Sequence, residues 1–162
     1  MKRTAVDVGG KAVVICDIAE TPAEQTRGLQ VFSSLPTGYG MLFPFNPPHA
    51  TVFHMGTVSY PIDIVFVDKA KCVAKIVHNA EPGNKERWMH GHCAAVVELP
   101  GGFAERIGLA LGDKVNWPIN KYTAAGQAYD MLEGLTNGDD TRMDPDRYKD
   151  RGTPDEVSPN AQ

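Results

Sequence analysis

The sequence predicts a mostly β fold: a small antiparallel β-sandwich or barrel of about seven strands with short helices, followed by a C-terminal helix and an extended tail. Three observations predict it. Short apolar, β-branched runs recur between turns rich in glycine and proline. Helix signals before residue 120 are confined to stretches of a turn or two. Beyond Pro118 the composition changes to a helical period and then to a polar tract.

Taken in order, residues 11–18 form an apolar, β-branched run that reads as a strand. Thr21, Pro22 and Glu24 supply a capping box with proline at the first helical position. The helix they start should last about two turns, because Arg27 falls in its final turn and Gly28 just past it, where glycine tolerates a left-handed backbone. Residues 35–40 are a turn cluster, and residues 41–45 a second short strand closed off by Pro44, Pro47 and Pro48, which suggest an edge or a bulge. Residues 51–55 and 62–68 read as further strands, with 68–71 as a hairpin turn into 72–77. Residues 80–91 are polar and read as a surface loop, 94–99 as a buried strand, 103–107 as about one helical turn, and 114–117 as the last strand.

From Tyr122 onward, Ala124, Ala125, Ala128, Met131, Leu132 and Leu135 recur at helical spacing. Residues 137–162 are too poor in apolar anchors to order themselves alone. The organisation expected is therefore a β domain over 1–120, an appended helix over 121–136 and a polar tail over 137–162.

Composition narrows the function classes. The 162 residues, 42% hydrophobic, suffice for one core. A net charge of -4 disfavours nucleic acid as a partner. No stretch approaches the roughly 20 apolar residues that span a bilayer, so no membrane association is expected. The first ten residues lack the apolar core of a secretion signal. Cys16, Cys72 and Cys93 are an odd number without paired spacing, which points away from a disulfide framework and toward a reducing compartment. The expected location is the cytoplasm, or a virus particle if the chain is virus-encoded.

Several motifs carry a family resemblance. Arg27, Gly28 and Leu29; Gly40, Met41, Leu42, Phe43 and Phe45; Phe53 and Met55; and Pro61, Ile62, Asp63, Ile64, Phe66 and Asp68 occur in order. A closing group follows in Val97, Glu98, Leu99, Pro100, Gly101, Gly102, Phe103, Ala104, Glu105 and Arg106, then Gly108 and Gly112, Asp113, Lys114 and Val115. Over roughly residues 13–117 the chain resembles the prokaryotic domain of unknown function 192 family. The resemblance implies a small β-sandwich and no known activity. One departure stands out: where the family has tryptophan, methionine, lysine, asparagine and threonine, this chain has His54, Met55, Gly56, Thr57 and Val58. A lysine beside an amide would direct donors at an anionic ligand, and both are missing here. The family's cysteine in the following loop is also replaced, by the stretch Glu81, Pro82 and Gly83.

Among candidate sites, His90 and His92 are the best metal ligands, since residues at i and i+2 of a strand share a face. Against that stands a solvated loop. Glu98 on the next run resembles the glutamate of a cupin pattern, but it lies too far along and a later histidine is absent. Cys93 beside His92 would point to the opposite face and reads as a buried, inert thiol. Asp63 and Asp68 flank an apolar strand, where hydrogen bonding to backbone explains them better than a catalytic dyad. Phe43, Phe45 and Phe53 read as core before they read as a docking patch. Asp139, Asp140, Asp144 and Asp146 lack the spacing of a calcium loop.

The functional expectation is a non-catalytic structural or interaction component of a larger assembly, for example a virus or phage particle, with no cofactor. A protein partner, or further copies of the chain, would be held by Tyr122, Tyr129, Met131, Leu132, Leu135 and Tyr148. The alternative is a small-molecule- or metal-binding protein that uses His90 and His92.

Overall fold

The computed structural model describes residues 1–118 apart from Thr57. The expected helix over 121–136 and the tail over 137–162 lie outside the described residues, as do Asp139, Asp140, Asp144 and Asp146.

Seven strands hydrogen-bond into one curled sheet, a half-barrel: β1 (Lys2–Val8), β2 (Ala12–Ile18), β3 (Tyr39–Phe53), β4 (Ile62–Asp68), β5 (Val73–Ala80), β6 (Trp88–Pro100) and β7 (Val115–Asn116). Their order across the sheet is β5-β4-β6-β3-β2-β1-β7. The curl brings the ends of that order together at one corner, where Val115 N–H donates to the Lys71 carbonyl at 2.9 Å and Val73 N–H to that of Asp113 at 2.8 Å. The mostly β expectation with about seven strands and short helices therefore holds.

Helix α1 (Pro22–Arg27) starts on the expected capping box: the Thr21 side chain accepts from Glu24 N–H, and the Glu24 carboxylate accepts from Thr21 N–H at 2.9 Å. Those hydrogen bonds hold the Glu24 carboxyl below its ordinary range, outweighing the opposing effect of its slight burial. A 3-10 turn, Gly28–Val31, continues the segment and returns the chain to β3. This connection crosses over, so β2 and β3 pair in parallel, from Ile15 opposite Tyr39 to Ile18 opposite Leu42. The remaining ladders are antiparallel.

Three elements differ from the sequence expectation. Strand β1 was not anticipated; only Val6 and Val8 of its residues are fully buried, so its apolar signal is weak. The two short strands expected at 41–45 and 51–55 are one long strand, β3. Its prolines fall where the register against β6 shifts, between Pro44 and His49, because proline has no N–H to give the ladder. The loop expected over 80–91 is shorter, since β5 runs to Ala80 and β6 begins at Trp88.

Both faces of the sheet are covered, which is why β4 reads as a continuous apolar run. On one face Met41, Phe43, Ile64, Phe66 and Val96 pack under Leu29, Phe32 and Leu35 from the α1 connection. On the other, Val65, Val67, Val97 and Leu99 pack with Phe103 and Ala104 of α2 (Phe103–Arg106). Strands β3 and β6 approach so closely at Gly40 that a Cβ there would lie 2.5 Å from the Glu98 carbonyl oxygen.

Candidate ligand cleft

A cleft of about 560 Å³ opens between the α1 connection and the outer half of β3 with residues 54–58. Its walls are Leu29, Phe43, Phe45, Phe53, Met55 and Val58, with Gln25, Arg27, Gln30 and His54 among its polar lining groups. The aromatic wall is ordered by an edge-to-face contact of Phe43 and Phe53, ring centroids 4.9 Å apart. Residues Leu29, Phe43, Phe45, Met55 and Val58 are buried, whereas Arg27 is exposed.

Glu98 also lines this cleft. It sits on β6 opposite Met41 of β3 and Ile64 of β4, on the central strand pair of the sheet, and is 4% exposed. Its Oε2 has no hydrogen-bond partner among the described residues. Burial pushes its carboxyl up to about 8, because the charged form loses its hydration and meets no compensating donor. The nearby Tyr60 hydroxyl donates to the Leu29 carbonyl at 3.0 Å instead. Its own pKa is raised, first by burial and then by Glu98.

The other two buried carboxylates among the described residues, Asp17 and Asp63, have partners, as does the half-buried Asp68. Asp17 meets the Arg3 guanidinium at 3.2 Å across β1 and β2. Asp63 accepts N–H bonds from Asn79 at 2.7 Å, Gly102 at 3.0 Å and Ala104 at 2.8 Å. Asp68 accepts from Ala70 and Cys72 in the hairpin turn. The backbone role expected for Asp63 and Asp68 is what the structure contains.

His90 and His92 lie on β6 rather than in a loop, at a bulge where His90 pairs with Thr51 and Cys93 with His49. His92 has φ +55°, and the extra residue interrupts the alternation on which a shared face depends. Among the described residues no group of three or more His, Cys, Asp or Glu side chains is gathered to hold a metal ion. Cys93 is buried, its thiol pushed up by burial and by Asp68, which fits the inert reading. Tyr122, Tyr129, Met131, Leu132, Leu135 and Tyr148 lie outside the described residues. Phe43 and Phe45 are core residues as expected, yet they also face the cleft.

Glu98 as the polar centre of a cleft was missed from sequence. A signal was present: it is the one charged residue inside the apolar run 94–99. The cleft also gathers Arg27, Leu29, Phe43, Phe53, Met55 and Glu98 from the separate motifs that carried the family resemblance.

The family model DUF192, described as "Uncharacterized ACR", matches residues 4–117. The chain belongs to this family. It is similar to a solved protein of unknown function from Novosphingobium aromaticivorans, 36% identical over 71% of this chain and 85% of that one, TM-score 0.66. A candidate transcription regulator from Sinorhizobium meliloti shares the fold at 23% identity, over 71% of this chain and 92% of that one, TM-score 0.63. No curated protein matches. In this DUF192 member the departure at 54–58 falls on the cleft itself, since His54, Met55 and Gly56 line it. Gly56 has φ +51°, a left-handed backbone that a side chain there would strain, and its Cβ would lie 3.1 Å from the His54 ring, which would have to shift slightly.

Proposed function

We propose that this protein is a non-catalytic ligand-binding module whose cleft takes a small, mostly apolar molecule with one polar end against Glu98. The observation that carries the reading is the buried Glu98 carboxyl, whose Oε2 has no hydrogen-bond partner among the described residues, in an aromatic-walled cleft. A buried polar atom left unpaired costs on the order of 1–3 kcal/mol, and a ligand that pairs it recovers that cost. The cleft volume of about 560 Å³ suits a small molecule. The described lining residues include no second carboxylate and no cysteine, so an acid pair or an activated thiol is lacking there.

The test is a fragment screen followed by two-dimensional NMR. Binders should shift the amides of Leu29, Phe45, Met55 and Glu98 together. Shifts that avoid this set overturn the reading. Neither the interaction role expected of residues 121–162 nor metal binding at His90 and His92 has a favouring observation among the described residues.

A further inference from the structure

We infer that the cleft selects a primary or secondary amine, carried as an ammonium on a small apolar body, with Glu98 as its counter-ion. This rests on the ligand-binding reading above and names the ligand class for the same site. Three features lead to it. Glu98 is the cleft's buried acidic group, and the cleft is walled by three phenylalanines, whose ring faces attract cations. An anionic ligand would be set beside Glu98 with Arg27 as the cation to offset it, and Arg27 is exposed, where solvent screens it. A neutral ligand could pair with Oε2 but would draw nothing from the attraction of the rings for a cation.

The titratable and charged groups around Glu98 are Arg27 and His54 in the cleft lining and Tyr60 behind Leu29. Tyr60 stays a neutral phenol, so it does not compete as a charge. The proton balance follows. The amine is already an ammonium in neutral water, and Glu98 is largely a neutral acid in the free protein because burial raises it to about 8. Binding the ammonium ionises Glu98, and the carboxyl proton passes to the buffer.

The inference is tested with benzylamine and its neutral counterpart benzyl alcohol on the full chain, by calorimetry at neutral pH in two buffers of different ionisation enthalpy. Benzylamine should bind about tenfold or more tightly than the alcohol and release about one proton per molecule bound. Glu98→Gln, nearly the same shape, should keep alcohol binding and lose both the preference and the proton release. Equal affinity for the two probes, or amine binding without proton release, overturns the amine assignment while leaving the cleft as a binding site. If neither probe shifts the cleft amides, the ligand-binding reading falls with it.

Discussion

Asp63 and Glu98 lie one rung apart on the paired strands β4 and β6, Asp63 opposite Leu99 and Glu98 opposite Ile64, and so face opposite sides of the sheet. Asp63 is enclosed by three backbone N–H donors, from the end of β5 and from the turn that begins α2. Glu98 lines a cleft shared with the α1 connection and with His54, Met55, Gly56 and Val58, and among the described residues no donor reaches its Oε2. The same chemical group, equally buried, is a structural clamp on one face and an unfilled hydrogen-bonding position on the other. What separates them is whether the covering segment presents backbone or apolar side chains.

The comparison breaks most visibly with pH. A rise of the Glu98 carboxyl from 4.5 to about 8, at 1.36 kcal/mol per pH unit, corresponds to roughly 5 kcal/mol. The folded pKa lies above the unfolded one, so this stability is fully present below about pH 4.5 and is lost as pH rises to about 8. Urea unfolding of the wild type should show that fall, and Glu98→Leu should abolish it. An unchanged slope in the variant would mean that Glu98 is not the buried acid described.

Next in size, Asp63→Ala should destabilise by about 4 kcal/mol, because three N–H groups lose a charged acceptor. Chemical denaturation measures this, and a cost under about 1 kcal/mol would contradict the clamp.

A matched pair of amides sharpens the contrast. Asp63→Asn should cost about 2 kcal/mol, since its amide nitrogen must face an N–H donor, whereas Glu98→Gln, which is neutral without taking up a proton, should stabilise at neutral pH by about 3 kcal/mol. Equal losses in the two variants would erase the distinction. The smallest effect is a control away from both carboxylates: Thr21→Ala removes the cap of α1 and should cost about 1 kcal/mol in thermal unfolding. Glu98→Gln should leave that cost unchanged, because the cap is local.

Much of the fold was legible. The capping box of α1, the strand at 62–68 and the helical turn after Gly102 rest on local chemistry and appear where the residues place them. Strand β1 was not legible because its partners, β2 and β7, supply the pairing that its own pattern does not announce. The unity of β3 was hidden by Pro44, Pro47 and Pro48, which interrupt a strand in sequence but can sit in a bulge when a neighbouring strand tolerates the register shift. The bulge at His92 was equally invisible, and it disturbs the histidine alternation that the sequence suggested. Glu98 was noticed as part of the family's closing motif and as a follower of those histidines; as a lone charge in the apolar run 94–99 it was readable as a buried acid, but not as a cleft residue.

By itself the sequence determined that this chain makes a mostly β domain of the DUF192 type, with its helix starts and turns in place, because those depend on residues within a few positions of one another. Only the tertiary structure decided which buried carboxylate is a clamp and which faces a cleft. Asp63 and its donors at Gly102 and Ala104 are 39 and 41 positions apart, and Glu98 comes to share a cleft with Arg27, Phe43 and Met55 only after the α1 connection folds over β3. Partnership in a buried site is set by the face a side chain occupies and by what covers it, and both are properties of the packed sheet.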